Sequence, residues 1–283
     1  MDVDTHIEAI SREGEQLAAA ASHARLDDPI PWCPGWDTRE LLRHLSEIHL
    51  WAASHVARRA VRDGVSELAD LETAWPDLAI FWPDDDALID YYLATNANLV
   101  AELEAAPSDL ATWTFLPAPS PRQMWARRQA HETAIHRFDA ESATASVSGF
   151  DPVFASDGID EILTAMAPRI AELPLESRIT MAVSPTDTDE RWLVALGPDG
   201  IETVRTDGPA DLVLTGLASD LYLAVWNRGD DTAITLTGDP TVLETWRVRH
   251  RGRWPRTRDE DEAKAQALRQ RHREDGSQGP PRS

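Results

Sequence analysis

Cysteine is almost missing from this chain: Cys33 is the only one among 283 residues. Its solitude excludes an internal disulfide framework and any all-cysteine metal site, and it fits a reducing compartment. Lysine is as scarce, with Lys264 alone, so arginine carries nearly all the positive charge. That usage matches GC-rich coding and bears on source, not on function. No apolar run approaches the about 18 residues of a membrane-spanning helix. The opening MDVDTHIEAISREGEQ has neither the basic nor the apolar part of a secretory signal. The expectation is a soluble, cytoplasmic protein. Basic patches are missing as well: the formal net charge is -22, and arginines form no long cluster before residue 247. Backbone binding to nucleic acid and attachment to anionic lipid both need such a patch. Neither partner is expected.

What is present suffices for two domains, given the length and 42% hydrophobic residues. Residues 4–25 carry Ile7, Ile10, Leu17 and Ala20 or Ala21 at helical spacing, and DDPIPWCPGW then breaks the pattern. In GWDTRELLRHLSEIHLWA, Asp37 followed by Glu40 forms a capping box for a second helix running to about Arg62. Its core face is Leu41, Leu45, Ile48, Ala52 and Val56. DLETAWPDLAIFWPDD reads as an irregular connection; DDALIDYYLATNANLVAELEAA gives a third helix and RQMWARRQAHETAIHRFDAE a fourth. Four helices with a longer crossover predict a bundle over 1–147. From 148 to 258 the pattern predicts a small α+β domain. It has a linker and helix to about residue 173, strands in RITMAVSPT, in ERWLVALGPDGIETVRT on either side of GPDG, in DLVLTG and in AITLTGD, and a helix in LASDLYLAVWNRG. Residues 259–283 read as a charged, disordered tail.

The stretch HETAIHRFDAE at 131–141 is the densest in chemistry. On a helix Glu132 and His136, four apart, project from one face. The same pair suits an ion pair on a solvated face. His44 points to the core side of the second helix, among Leu41, Leu45 and Ile48. Taken singly it reads as a hydrogen-bonded core histidine. Taken with Glu132 and His136 across a bundle it completes a set of two imidazoles and a carboxylate. That set suits Zn(II) and leaves a coordination position open. His49 reads as a boundary residue, and His131, rotated about 100° from Glu132, faces away from the shared site. Glu47 either supports the site or is solvated. Asp139 either orients His136 through its second ring nitrogen or pairs with an arginine. Arg128 and Arg137 read as surface charges, and Trp32, Trp36, Trp51 and Trp125 as core and loop anchors. Cys33, in a proline-flanked loop with no histidine nearby in sequence, reads as a small buried apolar group and not as a nucleophile.

Together, PWCPGWDTRELLRHLSEIHLWA and WARRQAHETAIHRFDAE resemble the mycothiol-dependent maleylpyruvate isomerase family, a branch of the DinB-like metal-binding bundles. ADLVLTGLASDLYLAVWNRGDDTAITLTGDPTVLETW resembles that family's smaller, sterol-carrier-like α+β domain. The resemblance implies divalent-metal ligands at His44, Glu132 and His136, Zn2+ or another divalent ion with mycothiol as cofactors, and a small electrophile as substrate. It also implies a catalytic arginine, placed at Arg228 in AVWNRG with Arg247 as the rival. Its chemistry would be a metal-activated thiolate that adds to a double bond, allows rotation and leaves, or that is retained in transferase relatives. Rival readings are a hydrolase using metal-activated water and a non-catalytic binding module whose metal is structural or vestigial and whose C-terminal domain holds a ligand or partner.

Overall fold

A computed structural model describes residues 1–57, 83–169 and 175–249. The expected end of the second helix at Arg62, most of the connection after it and the tail lie outside them. Two compact units are formed. Among the described residues, one runs over His6–Ser146; the other takes Met1–Thr5 and the residues from Val147 to Arg249.

The helical unit is built from α1 (Val3–His23), α2 (Thr38–Val56), α3 (Leu88–Ala105, entered through a 3-10 turn at Asp85–Ala87) and α4 (Pro121–Ser142). Each start has a chemical reason. The Asp37 carboxylate accepts from the Glu40 amide at 2.9 Å while Glu40 accepts from the Asp37 amide at 2.9 Å, closing the expected capping box. Ser120 Oγ accepts from the Gln123 amide, and Pro121 at the first helical position has no N–H to satisfy. Leu17, Ala18, Ala21, Ile30, Cys33, Leu41, Leu42, Leu45, Leu88, Tyr92 and Ala140 form one buried cluster, to which all four helices and the loop between α1 and α2 contribute. All five expected core residues of α2 are buried. No described helix is long and apolar enough to cross a membrane.

In the second unit, α5 (Pro152–Asp160) continues into a π-helical stretch at Glu161–Met166 and a 3-10 turn at Ala167–Arg169. The sequence pattern predicts one uninterrupted helix here. Pro168 supplies the reason for the departure: it has no N–H to give and its ring crowds the carbonyl one turn back, so the preceding turn widens. Then come β1 (Ile179–Pro185), β2 (Trp192–Gly197), β3 (Gly200–Val204), β4 (Leu212–Gly216), α6 (Ala218–Val225), β5 (Thr235–Gly238) and α7 (Thr241–Arg249). The sheet order is β3-β2-β1-β4-β5, with β1 and β4 parallel and the other pairs antiparallel. Alternate residues Met181 and Val183, Val194 and Leu196, and Leu212 and Leu214 are buried, giving the sheet one apolar face. Gly238 has φ +114°, and a Cβ there would run into the Asp211 carbonyl, so only glycine closes the β4–β5 pair. Trp246 of α7, fully buried, donates its indole N–H to the Val225 carbonyl at 2.9 Å and ties α7 to the end of α6.

Candidate metal centre

Helix α4 carries Trp125, Arg128, Glu132, His136 and Asp139 at spacings of three and four, so they lie along one stripe. α2 packs against α4 and brings His44 to that stripe. The Glu132 Oε1 atom stands 3.4 Å from His44 Nε2 and 3.3 Å from His136 Nε2. One donor atom from each of the three residues lies within 4.8 Å of the others. A zinc ion with bonds of about 2.0–2.1 Å spans a tetrahedron whose edge is about 3.3 Å. Both carboxylate–imidazole separations match it. The His44 and Glu132 side chains keep 26% and 21% of their surface exposed, whereas His136 keeps 5%. The cluster is therefore partly exposed at His44 and Glu132 and buried at His136.

Each donor is held from behind. Arg128, almost fully buried, gives its Nη2 to Glu132 Oε2 at 3.0 Å and leaves Oε1 facing the imidazoles. Asp139, fully buried, takes the His136 Nδ1 through Oδ2 at 2.8 Å. Cys33 donates to the same Oδ2 at 3.3 Å. Trp36, half-buried, stacks on His136 at 22° with ring centroids 6.3 Å apart and leans on His44 at 4.8 Å. The charges follow from these contacts. Burial alone would push the His136 pKa down, but the hydrogen bonds to Asp139, Cys33 and Glu132 raise it well above its ordinary value. Burial would raise Glu132, yet its bonds to His136 and His44 and the Arg128 charge take it well below the usual carboxylate range. Burial keeps His44 below its ordinary value. Without a cation, an imidazolium between two carboxylates fills the role of positive charge. A divalent ion would replace that proton.

His44, Glu132 and His136, chosen from spacing and resemblance, are thus brought together. His131 points elsewhere, its ring 6.0 Å from that of His6 on α1. His49 is not a boundary residue: it is fully buried, its Nε2 donates to Thr133 Oγ1 at 3.0 Å, and that hydroxyl in turn donates to the Gln129 carbonyl. Arg128 and Arg137 are not surface charges either. Arg137, 1% exposed, joins Glu13 of α1 at 2.8 Å and Glu141 at 2.7 Å. The Arg128 contact had a visible signal in its i,i+4 spacing to Glu132. Those of Cys33 and Trp36 had none, since about a hundred residues separate them from α4. In the second unit Arg228 lies buried just after α6, with Nη1 donating to the Trp226 carbonyl at 3.0 Å. Arg247 is ion-paired with Asp231.

The architecture is a helical domain followed by a small sheet domain. It is similar to the crystal structure of the mycothiol-dependent maleylpyruvate isomerase, with a TM-score of 0.59 at 12% identity over 84% of this chain and 93% of that one. A histidine-to-alanine mutant of that enzyme gives 0.58 at 12% identity over the same shares. At such identity the likeness speaks for the fold alone. The family model of the mycothiol maleylpyruvate isomerase N-terminal domain matches residues 7–141, and that of the MDMPI C-terminal domain matches 154–245. The chain belongs to the mycothiol maleylpyruvate isomerase family. No curated protein matches it in sequence.

Proposed function

We propose that this chain is a divalent-metal- and mycothiol-dependent enzyme that works on a small electrophilic acid by thiol chemistry of the maleylpyruvate-isomerising kind. The observation that carries the proposal is the cluster of two imidazole nitrogens and one carboxylate oxygen, the oxygen at a tetrahedral-edge separation from each nitrogen, with His44 and Glu132 partly exposed. His44, Glu132 and His136 would hold the ion, with Zn2+ as the best match to the donor set. Held there, such an ion would supply Lewis acidity that lowers the pKa of a thiol, the chemistry that addition of sulfur to an activated double bond needs.

The protein's own groups have separate tasks. Asp139 fixes the His136 tautomer and ring direction by accepting from Nδ1, which presents Nε2 unprotonated to a cation. Arg128 occupies one oxygen of Glu132 and commits the other to the site. Trp36 walls the imidazoles on the loop side. Arg228 is the arginine that the family resemblance implies for catalysis, and a guanidinium offers the paired donors that a carboxylate accepts. The fold family's thiol dependence supports the cofactor, and the partial exposure of His44 and Glu132 supports a ligand directly at the ion.

Elemental analysis of the native protein and of His44→Ala and Glu132→Ala, followed by titration with mycothiol, tests this reading. About one zinc per chain that is lost in both variants, with thiol binding that needs the metal, is the expected result. Metal content indifferent to both substitutions would overturn it. Turnover without any thiol would replace isomerisation with hydrolysis.

A further inference from the structure

We infer that Cys33 is a positioning residue of the metal centre: its thiol proton and the His136 Nδ1 proton go to one oxygen of Asp139, and the two together fix the direction in which His136 offers Nε2. The inference rests on the metal reading above and extends it to the loop between α1 and α2.

This loop is held closed by its own backbone. Ile30 donates to the Trp36 carbonyl at 2.9 Å, Trp36 donates to the Cys33 carbonyl at 2.9 Å, and Cys33 donates to the Ile30 carbonyl at 3.1 Å. Gly35, with φ +88°, provides the left-handed residue that so tight a turn needs. Arg39 clamps its two ends, reaching Asp27 at 2.7 Å and Asp37 at 3.2 Å with Nη1, while Nη2 and Nε hold Asp85. A loop so tied delivers two side chains to the same histidine. Trp36 covers the His136 ring and the Cys33 thiol reaches the carboxylate behind it, with Sγ and Oδ2 3.3 Å apart across 106 residues of sequence.

The thiol's chemistry suits that place. Asp139 is fully buried, and a carboxylate oxygen without a proton only accepts. Its Oδ2 takes two donors, His136 Nδ1 at 2.8 Å and Cys33 Sγ at 3.3 Å. With both donors on Oδ2, turning the carboxylate about its own bond breaks both contacts at once. A thiol is a weak donor, so it orients the oxygen and leaves its charge for the imidazole. The same contact rules the sulfur out as a nucleophile: a thiolate would face the Asp139 carboxylate in a buried site. Cys33, His136 and Asp139 also fall within 4.8 Å of one another. Direct hydrogen bonds already join them, so they form the backing of one site and not a second one.

The test uses the full chain and reads metal affinity, not turnover. Zinc dissociation constants by chelator competition, and visible absorption of the cobalt(II) form, are measured for the native protein, Cys33→Ser, Cys33→Val and Asp139→Asn. Valine fills the thiol's volume without a donor, and serine keeps a donor. Cys33→Val is expected to weaken zinc about 10-fold, the lower end for groups behind a ligand, and to shift the cobalt bands. Cys33→Ser stays within about threefold of the native value. Asp139→Asn weakens zinc as well, and adding Cys33→Val to it brings little further loss, because the thiol acts through that oxygen. Native affinity and cobalt spectrum in Cys33→Val, or serine as damaging as valine, overturn the inference while the metal reading stands. A poorly folding Cys33→Val leaves Cys33→Ala, alone and on the Asp139→Asn background, to decide, where a loss that adds in full to that of Asp139→Asn overturns it. A native chain that takes up neither zinc nor cobalt sinks the metal reading and this inference with it.

Discussion

Single histidines of the helical unit differ by what surrounds them. His136 lies between two carboxylates and is driven towards its charged form, whereas His49 is buried beside Thr133 and the Tyr92 ring, and burial takes its pKa to about 3. For His49 the consequence for stability has a definite sign. Above its ordinary value of 6.5 the ring is neutral in both states. Below it the unfolded chain gains a proton that the folded chain refuses, so stability falls with pH until the folded value near 3 is reached. From pH 7 to pH 5 this one group removes about 2 kcal/mol. His49→Gln keeps an N–H donor for Thr133 and does not titrate. Urea unfolding at those two pH values is expected to show a loss smaller by about that amount in the variant; equal losses would contradict the assignment. Residue by residue, legibility followed sequence distance. Glu132 and His136 share a helix face and so announce themselves, and His44 could be matched to them once a bundle was expected. The burial of Arg128 and Arg137 was hidden, because the i,i+4 spacings to Glu132 and Glu141 mark pairs that suit a solvated face equally well, and nothing local marks the Glu13 partner that α1 supplies.

Helices in this chain are fastened to one another by buried charge as well as by apolar packing. Arg137 of α4, 1% exposed, bridges Glu13 of α1 and Glu141 of its own helix. Breaking such a link leaves an acid buried, and for Glu13 a further contact is to Arg12, whose side chain is 51% exposed. Arg137→Met is therefore expected to cost about 3 kcal/mol, read as a fall in thermal midpoint of about 10 °C. A change within about 2 °C would show the link to be energetically idle. α1 to α4 were legible as elements, because period and caps agree. The five strands were legible too, since apolar alternation and turns such as GPDG mark them. The π-helical widening before Pro168 and the helix α7 were not. The first departs from a pattern that looks continuous, and the second follows a strand so closely that only the Asp239 side chain accepting from the Thr241 amide at 2.9 Å marks its start.

Over the whole molecule the dominant electrostatic fact is a net charge of -22. Like charges at that density oppose compaction, and salt screens them over a Debye length that shrinks from about 30 Å at 0.01 M to about 8 Å at 0.15 M. Sodium chloride in that range is expected to raise the thermal midpoint. A fall would mean that exposed pairs such as Arg178–Glu202, with side chains 61% and 74% exposed, contribute more than their usual small share. Fold class and the order of the two units could be read from the change in periodicity near residue 148. The strand order could not, since a parallel partner has no local mark. That parallel seam between β1 and β4 also sets a timetable. The meander from β1 to β3 can form from neighbouring contacts, but β4 must arrive by a distant closure. A chain leaving the ribosome therefore carries β1 with one bare edge until Leu212 has been made, and during that interval the nascent domain is most open to sticking to its neighbours.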